Sequence, residues 1–132
     1  MQKQYGAIPF IRGDEGLKVV LVTSAAGYWI FPKGQYEKEH GKQGTAELEA
    51  LEEAGVEGKL LKKRAYRTKV VIKSGERVRL TLYALDVRSI RKKWKEDYRR
   101  KRVVVSVSKA FKLIDSSALR ECLRDFSSEF ER

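Results

Sequence analysis

At 132 residues the chain suits one domain, expected to span 1–132 around a single hydrophobic core. Apolar residues make up 42% of it, which argues against disorder despite 36% charged residues, and no apolar run approaches the ~20 residues that cross a bilayer. The net charge of +11 is uneven: residues 1–58 hold 6 Lys or Arg against 9 Asp or Glu, while residues 59–132 hold 23 against 9, so anionic partners are favoured.

In chain order, Tyr5–Ile11 and Leu17–Thr23 read as strands about a turn at Gly13–Gly16. The Met1–Tyr5 start has no apolar signal-peptide core, so a soluble, cytoplasmic protein without membrane contact is expected. Tyr28–Phe31 is a short extended piece, because Pro32 biases Phe31 away from helix. Gly34–Gly44 is rich in Gly and Lys and reads as a loop. Thr45 is a candidate cap for a helix reaching Ala54, and a start a few residues earlier fits as well. Lys59–Lys73 carries a long strand region, Ser74-Gly75 signals a hairpin turn, and Arg77–Val87 alternates as a half-buried strand should.

Next comes a basic loop, Arg91–Arg102, with eight Lys or Arg in twelve positions. Trp94 and Tyr98 interleave with these cations, a composition open to nucleic acid as well as to polyphosphates. Val103–Val107 is a further strand and Ser108 caps a short helix to Ile114. Ser116 or Ser117 opens the last helix, where Leu119, Leu123, Phe126 and Phe130 recur at three- and four-residue steps and face the sheet. The lone Cys122 packs there as a small hydrophobe; one cysteine excludes an intrachain disulfide and Cys-based zinc. The order of elements predicts an α/β (α+β) fold, a mixed sheet sandwiched between helices.

The chemistry concentrates at Glu49, Glu52 and Glu53, at positions i, i+3 and i+4 of the first helix. On a helix these share one face, where like charges repel by roughly 0.2–0.5 kcal/mol per pair. They also occupy the last turn before Gly55, where the macrodipole favours cations. A hard divalent cation would relieve both penalties. Solvated helix surface is the plainer explanation of such a run, and the flanking residues decide between the two.

Trp29-Ile-Phe-Pro-Lys-Gly34 lies upstream and Gly55-Val-Glu-Gly58 downstream. With Gly34, Glu49, Ala50, Glu52, Glu53, Gly55 and Val56 at the required spacing, the segment resembles the Nudix hydrolase box. Two positions depart: His40 stands where the family has Glu, and Leu48 where it has Arg. The likeness extends to Gly6-Ala7-Ile8-Pro9, to Leu82–Leu85, to Trp94 with Glu96, and to the late Val-Ser-Val-Ser-Lys-Ala stretch. It is nearest to small bacterial relatives of the diadenosine polyphosphate and diphosphoinositol polyphosphate hydrolases.

The resemblance implies an α/β/α sandwich and hydrolysis of a phosphoanhydride in a nucleoside-diphosphate-linked or other polyphosphorylated small molecule. It implies Mg²⁺ or Mn²⁺, with Glu49 and Glu53 as main ligands and Glu52 sharing an ion or orienting water. The backbone carbonyl of Lys33 or Gly34 is a further candidate ligand. The Lys33 side chain is a candidate phosphate contact, Arg67 and Arg79 are candidate substrate contacts among the strand cations, and Trp94 is a candidate stacking surface. The family Arg holds the first Glu of the pair across one helical turn, which Leu48 cannot do. Two outcomes follow from that: a slow hydrolase, or a Nudix-fold module that binds nucleotide, RNA or a protein partner. Glu96 and Asp97 are the acids available as an outlying general base, unless they merely balance charge in the basic loop.

Overall fold

The protein is described by a computed structural model covering residues 1–131. Ten elements alternate along it: β1 (Gln2–Gly13), β2 (Gly16–Thr23), β3 (Trp29–Ile30), β4 (Lys33–Gln35), α1 (Gly41–Ala54), β5 (Val56–Val71), β6 (Arg77–Ile90), β7 (Arg102–Ser106), α2 (Val107–Leu113) and α3 (Ser117–Phe130). The sheet runs β3-β2-β1-β6-β5, with β4 joined to β1 and β7 joined to β2. β1 is the pivot. Its residues 2–10 pair in parallel with β6, while its other edge is shared by β4 near the start and β2 near the end, both antiparallel. The predicted mixed sheet between helices is what forms.

Both faces of the central strands are covered, so their side chains alternate between two apolar layers rather than between core and water. Ile8, Phe10, Leu80, Leu82 and Ala84 join α2 and α3 on one side. Tyr5, Ala7, Tyr83 and Leu85 join α1 on the other. The α3 stripe packs as its spacing predicts: Leu119, Cys122, Leu123, Phe126 and Phe130 are buried, and Phe126 and Phe130 stack at 4.6 Å between centroids. α1 meets the sheet through Ala46, Ala50 and Ala54, all fully buried and four residues apart. Alanine presents the smallest side chain that still favours helix, so the axis sits close to the strands.

Three local expectations differ. Ser106, not Ser108, caps α2: its hydroxyl accepts from the Lys109 amide at 3.2 Å, and Ser108 lies inside the helix. Lys33–Gln35 is a strand, not a loop, because Gln4, Tyr5 and Gly6 of β1 offer it an open edge. Thr45 does not cap α1, which starts a turn earlier at Gly41. Its buried hydroxyl donates to the Gly41 carbonyl at 2.6 Å and accepts from the Glu37 amide at 3.1 Å, tying the incoming loop to the first turn.

Candidate metal centre and substrate cleft

The short axis distance of α1 brings its last turn against the β3–β4 connection. Glu53 is buried at 5% exposure, accepts from the Lys33 amide at 3.2 Å and lies 3.4 Å from an Arg100 guanidinium nitrogen. The Glu49 carboxyl lies beside that of Glu53. Burial, followed by the neighbouring Glu49, pushes Glu53 up to about 8, and Arg100 only partly offsets them. Burial raises Glu49 as well. Two carboxyls that sit together out of water share a proton or need a cation.

Gly34 closes the other side. A β-carbon there would lie 2.4 Å from the Glu49 carboxyl carbon and within 2.7 Å of both oxygens, so the bare backbone of β4 cradles that carboxylate. The donors are all oxygen, which suits Mg²⁺ or Mn²⁺. Glu52 is turned away, to Lys95 at 3.1 Å. Among the described residues no three acidic, His or Cys side chains converge as a cage; the candidate oxygen donors are Glu49 and Glu53, with Glu52 on the same turn. Gly34→Ala should therefore fold, since the Glu49 side chain can swing aside, yet bind Mn²⁺ at least ~10-fold more weakly, as loss of a ligand-orienting contact does; calorimetric titration measures it.

The acidic turn is tolerated because the basic segment folds over the end of α1. Five successive carbonyls find donors. Leu51 accepts from the Gly55 amide at 3.0 Å, Glu52 from the Glu96 amide at 3.0 Å, and Glu53 from the Trp94 indole at 2.8 Å. Ala54 accepts from Arg102 at 2.8 Å and Gly55 from the Arg91 amide at 2.8 Å. Gly55 allows this with φ of 66°, and a β-carbon there would strike Trp94. Arg102 also lies over the Trp94 ring at 4.0 Å. These donors satisfy the groups a helix end leaves open and offset the negative end of the dipole.

The expected site residues thus separate. Glu49, Glu53, Lys33 and Gly34 come together, with Glu52 on the same turn. Trp94 braces the helix end, its indole nitrogen donating to the Glu53 carbonyl and one ring face lying under Arg102. Arg67 and Arg79 line a different cleft from the one Glu53 borders. Glu96 is held below the usual carboxylate range: burial opposes ionisation, but hydrogen bonds from Arg100 and Arg99 outweigh it. Asp97 accepts from the Trp94 amide at 3.0 Å. Both acids have structural partners, which favours the charge-balance reading of them over a general base. His40 is exposed at the N-terminus of α1 with no side-chain capping bond.

Lys33, Glu53 and Arg100 face a cleft of about 910 Å³, flanked by Tyr28 and Trp29 and floored by the α2–α3 connection. The Lys33 ammonium donates to Gln4 at 2.7 Å; burial lowers its pKa, with Arg100 adding to the effect and Glu53 and Glu49 opposing it. Arg100 also donates to the Thr23 carbonyl at 2.7 Å and to Glu96 at 2.7 Å. In the sequence Arg100 and Arg102 are indistinguishable from the rest of a positive run, whereas Tyr28 and Trp29 stand just before the box, a usable signal for the mouth of the cleft. Neutralising Arg102 should lower stability by about 1.5–3 kcal/mol, the range for charge-assisted hydrogen bonds. Thermal melting of Arg102→Gln checks it, and a loss of binding in such a variant does not by itself report substrate capture.

The sheet order, the helical layers and the position of the box define a Nudix-type fold. Solved structures of the same architecture include an Ap4A hydrolase of C. elegans in a binary complex (TM-score 0.79, 16% identity, 99% of this chain and 98% of that one). A NUDIX hydrolase of Listeria monocytogenes matches with TM-score 0.73 and 17% identity over 99% of this chain and 95% of that one. No family model matches the chain. In sequence, Nudix hydrolase 4 of Arabidopsis thaliana is 33% identical over 116 residues, 83% of this chain. With the box residues in place around the carboxylate pair, the chain has the Nudix-type fold and resembles Nudix hydrolases in sequence. It spans 54% of the length of that plant relative.

Proposed function

We propose that this protein hydrolyses a phosphoanhydride bond in a nucleoside-diphosphate-linked or other polyphosphorylated small molecule, with Mg²⁺ or Mn²⁺ held by Glu49 and Glu53. The observation that carries the reading is the buried Glu53 carboxyl, with half-buried Glu49 beside it, at the wall of a cleft that also presents Lys33 and Arg100. Bound there, a divalent ion would lower the pKa of a water and polarise phosphoryl oxygens. The chain's own residues attract and orient. Lys33 and Arg100 place positive charge beside the carboxylates, where a polyanion would otherwise be repelled. Tyr28, 57% exposed, and Trp29 offer aromatic surface at the mouth for a base or similar group. Glu52, steadied by Lys95, is the carboxylate next to the pair that can still turn toward a water.

The C. elegans neighbour makes Ap4A a sensible first substrate. The test is phosphate release from dinucleoside polyphosphates, nucleoside triphosphates and nucleotide sugars, each with Mg²⁺ and with Mn²⁺. Release from at least one class, lost in Glu53→Gln, is the expected result. Metal binding without turnover on any class would favour the binding-module reading. Nucleic-acid binding through residues 91–102 has less support, since Arg91, Lys95, Arg99, Arg100 and Arg102 of that segment are engaged with Glu57, Glu52, Glu96, Glu53 and the α1 terminus. No helix among the described residues is long and apolar enough to cross a membrane.

A further inference from the structure

A second cleft, of about 560 Å³, opens on the face of the sheet that carries α1. Its wall holds Lys3 from β1, Lys42 from the first turn of α1, Lys62, Arg67 and Lys69 from β5, and Arg79 from β6. No acidic side chain lines it. Among the described residues none of the six cations is in an ion pair, whereas Arg64, Arg88, Arg91, Lys95, Arg99 and Arg100 all are. The ladder also bends to supply one of them: pairing passes from Leu61–Ala84 to Ala65–Tyr83, and Lys62 belongs to the residues left over. A solubilising surface would scatter such charges over convex ground. Gathered in a concavity, they repel one another and focus a positive potential that only an anion relieves.

We propose that this cleft is a binding site for a compact polyanion carrying several phosphate groups, separate from the carboxylate centre. The size is within the range of small-ligand pockets. Single-stranded nucleic acid is disfavoured by the aromatics. Binding without sequence preference needs exposed rings on which bases stack, and the two rings in this cleft, Tyr5 and Tyr83, are only 5% and 4% exposed. Their hydroxyls and that of Thr81 instead add polar atoms among the cations. The α1 amino end, at Lys42 and Gln43, brings the positive pole of the dipole to the same rim.

Inorganic tripolyphosphate in metal-free buffer is the probe, because without a cation the carboxylate pair repels it and the first cleft keeps only Lys33 and Arg100 to attract it. Isothermal titration should show saturable binding that weakens at high salt. Arg67→Gln combined with Arg79→Gln should weaken it roughly tenfold or more, the scale of losing charge-assisted contacts. Glu53→Gln should leave it unchanged. Both arginines are exposed, so the double variant should melt as the parent does, and Arg67→Glu provides a second, stronger reading of the same effect. No saturable binding, or binding indifferent to both arginine variants, overturns the proposal. So does binding strengthened in Glu53→Gln or lost in Lys33→Gln, either of which would put the ligand in the other cleft. Capture of a single-stranded oligonucleotide through Arg67 and Arg79, with no tripolyphosphate binding, would overturn it in favour of nucleic acid.

Discussion

Replacing Glu53 by Gln should lower hydrolysis by about 10²–10³-fold, the scale of removing one group that stabilises charge at a reacting centre, and yet make the metal-free protein more stable at pH 8. The two effects have one cause. Glu53 is buried beside Glu49, and its folded-state pKa of about 8 lies above the ordinary 4.5. Between those values the folded chain binds more protons than the unfolded one, so stability falls as pH rises from about 4.5 to about 8. A glutamine keeps an oxygen to accept the Lys33 amide and has no charge to bury. Arg100 loses one partner but retains Glu96 and the Thr23 carbonyl. The melting-temperature difference between variant and parent should thus grow with pH across that window. Mg²⁺ should reverse it at pH 8 by stabilising the parent alone, since ligands that bind only the folded state raise its stability. A difference that stays flat with pH, or Mn²⁺ binding that survives in the variant, would move the metal away from this pair.

What was legible in the chain was what is local. The box is contiguous, so Glu49, Glu53 and Gly34 can be placed by spacing alone. The α3 stripe is a 3.6-residue period, and its five buried residues include all four predicted apolar ones. Features that depend on a distant partner were not legible. Lys33–Gln35 has no strand-forming composition and becomes a strand only because β1 leaves an edge uncovered. Thr45 is the right residue type for a cap, but its hydroxyl is taken by Glu37 and Gly41 once the helix starts earlier. The basic segment shows the limit most clearly. Eight cations in twelve residues read as one charged patch, whereas the fold gives Arg102 two backbone carbonyls, Arg100 two carboxylates and Lys95 a third. Arg67 and Arg79 belong to strands whose facing was undetermined until register was known, and register sends both to the α1 side.

Lys95 alters what Leu48 means. In the family the residue at position 48 is an arginine that holds the carboxylate one turn on; here that carboxylate, Glu52, is met instead by Lys95 from the segment that caps the helix. The substitute is weaker, because the ammonium is a single-point donor at 69% exposure where a guanidinium grips with a planar fork. Surface pairs of this kind contribute little on their own. Leu48 itself is half-buried and belongs to neither apolar layer, so an arginine there would not enter the core. Leu48→Arg is therefore expected to fold with an unchanged melting temperature and to raise turnover of a dinucleoside polyphosphate by roughly tenfold, the lower end of effects on residues that orient metal ligands. Lys95→Met alone should slow turnover, and it should cost little once Leu48→Arg is present, because the two cations serve one carboxylate. Equal losses from Lys95→Met in both backgrounds would show that Lys95 acts elsewhere. A stable Leu48→Arg protein with no gain in rate would show that Glu52 is already held well enough, and that the departure from the family pattern at position 48 does not limit this site.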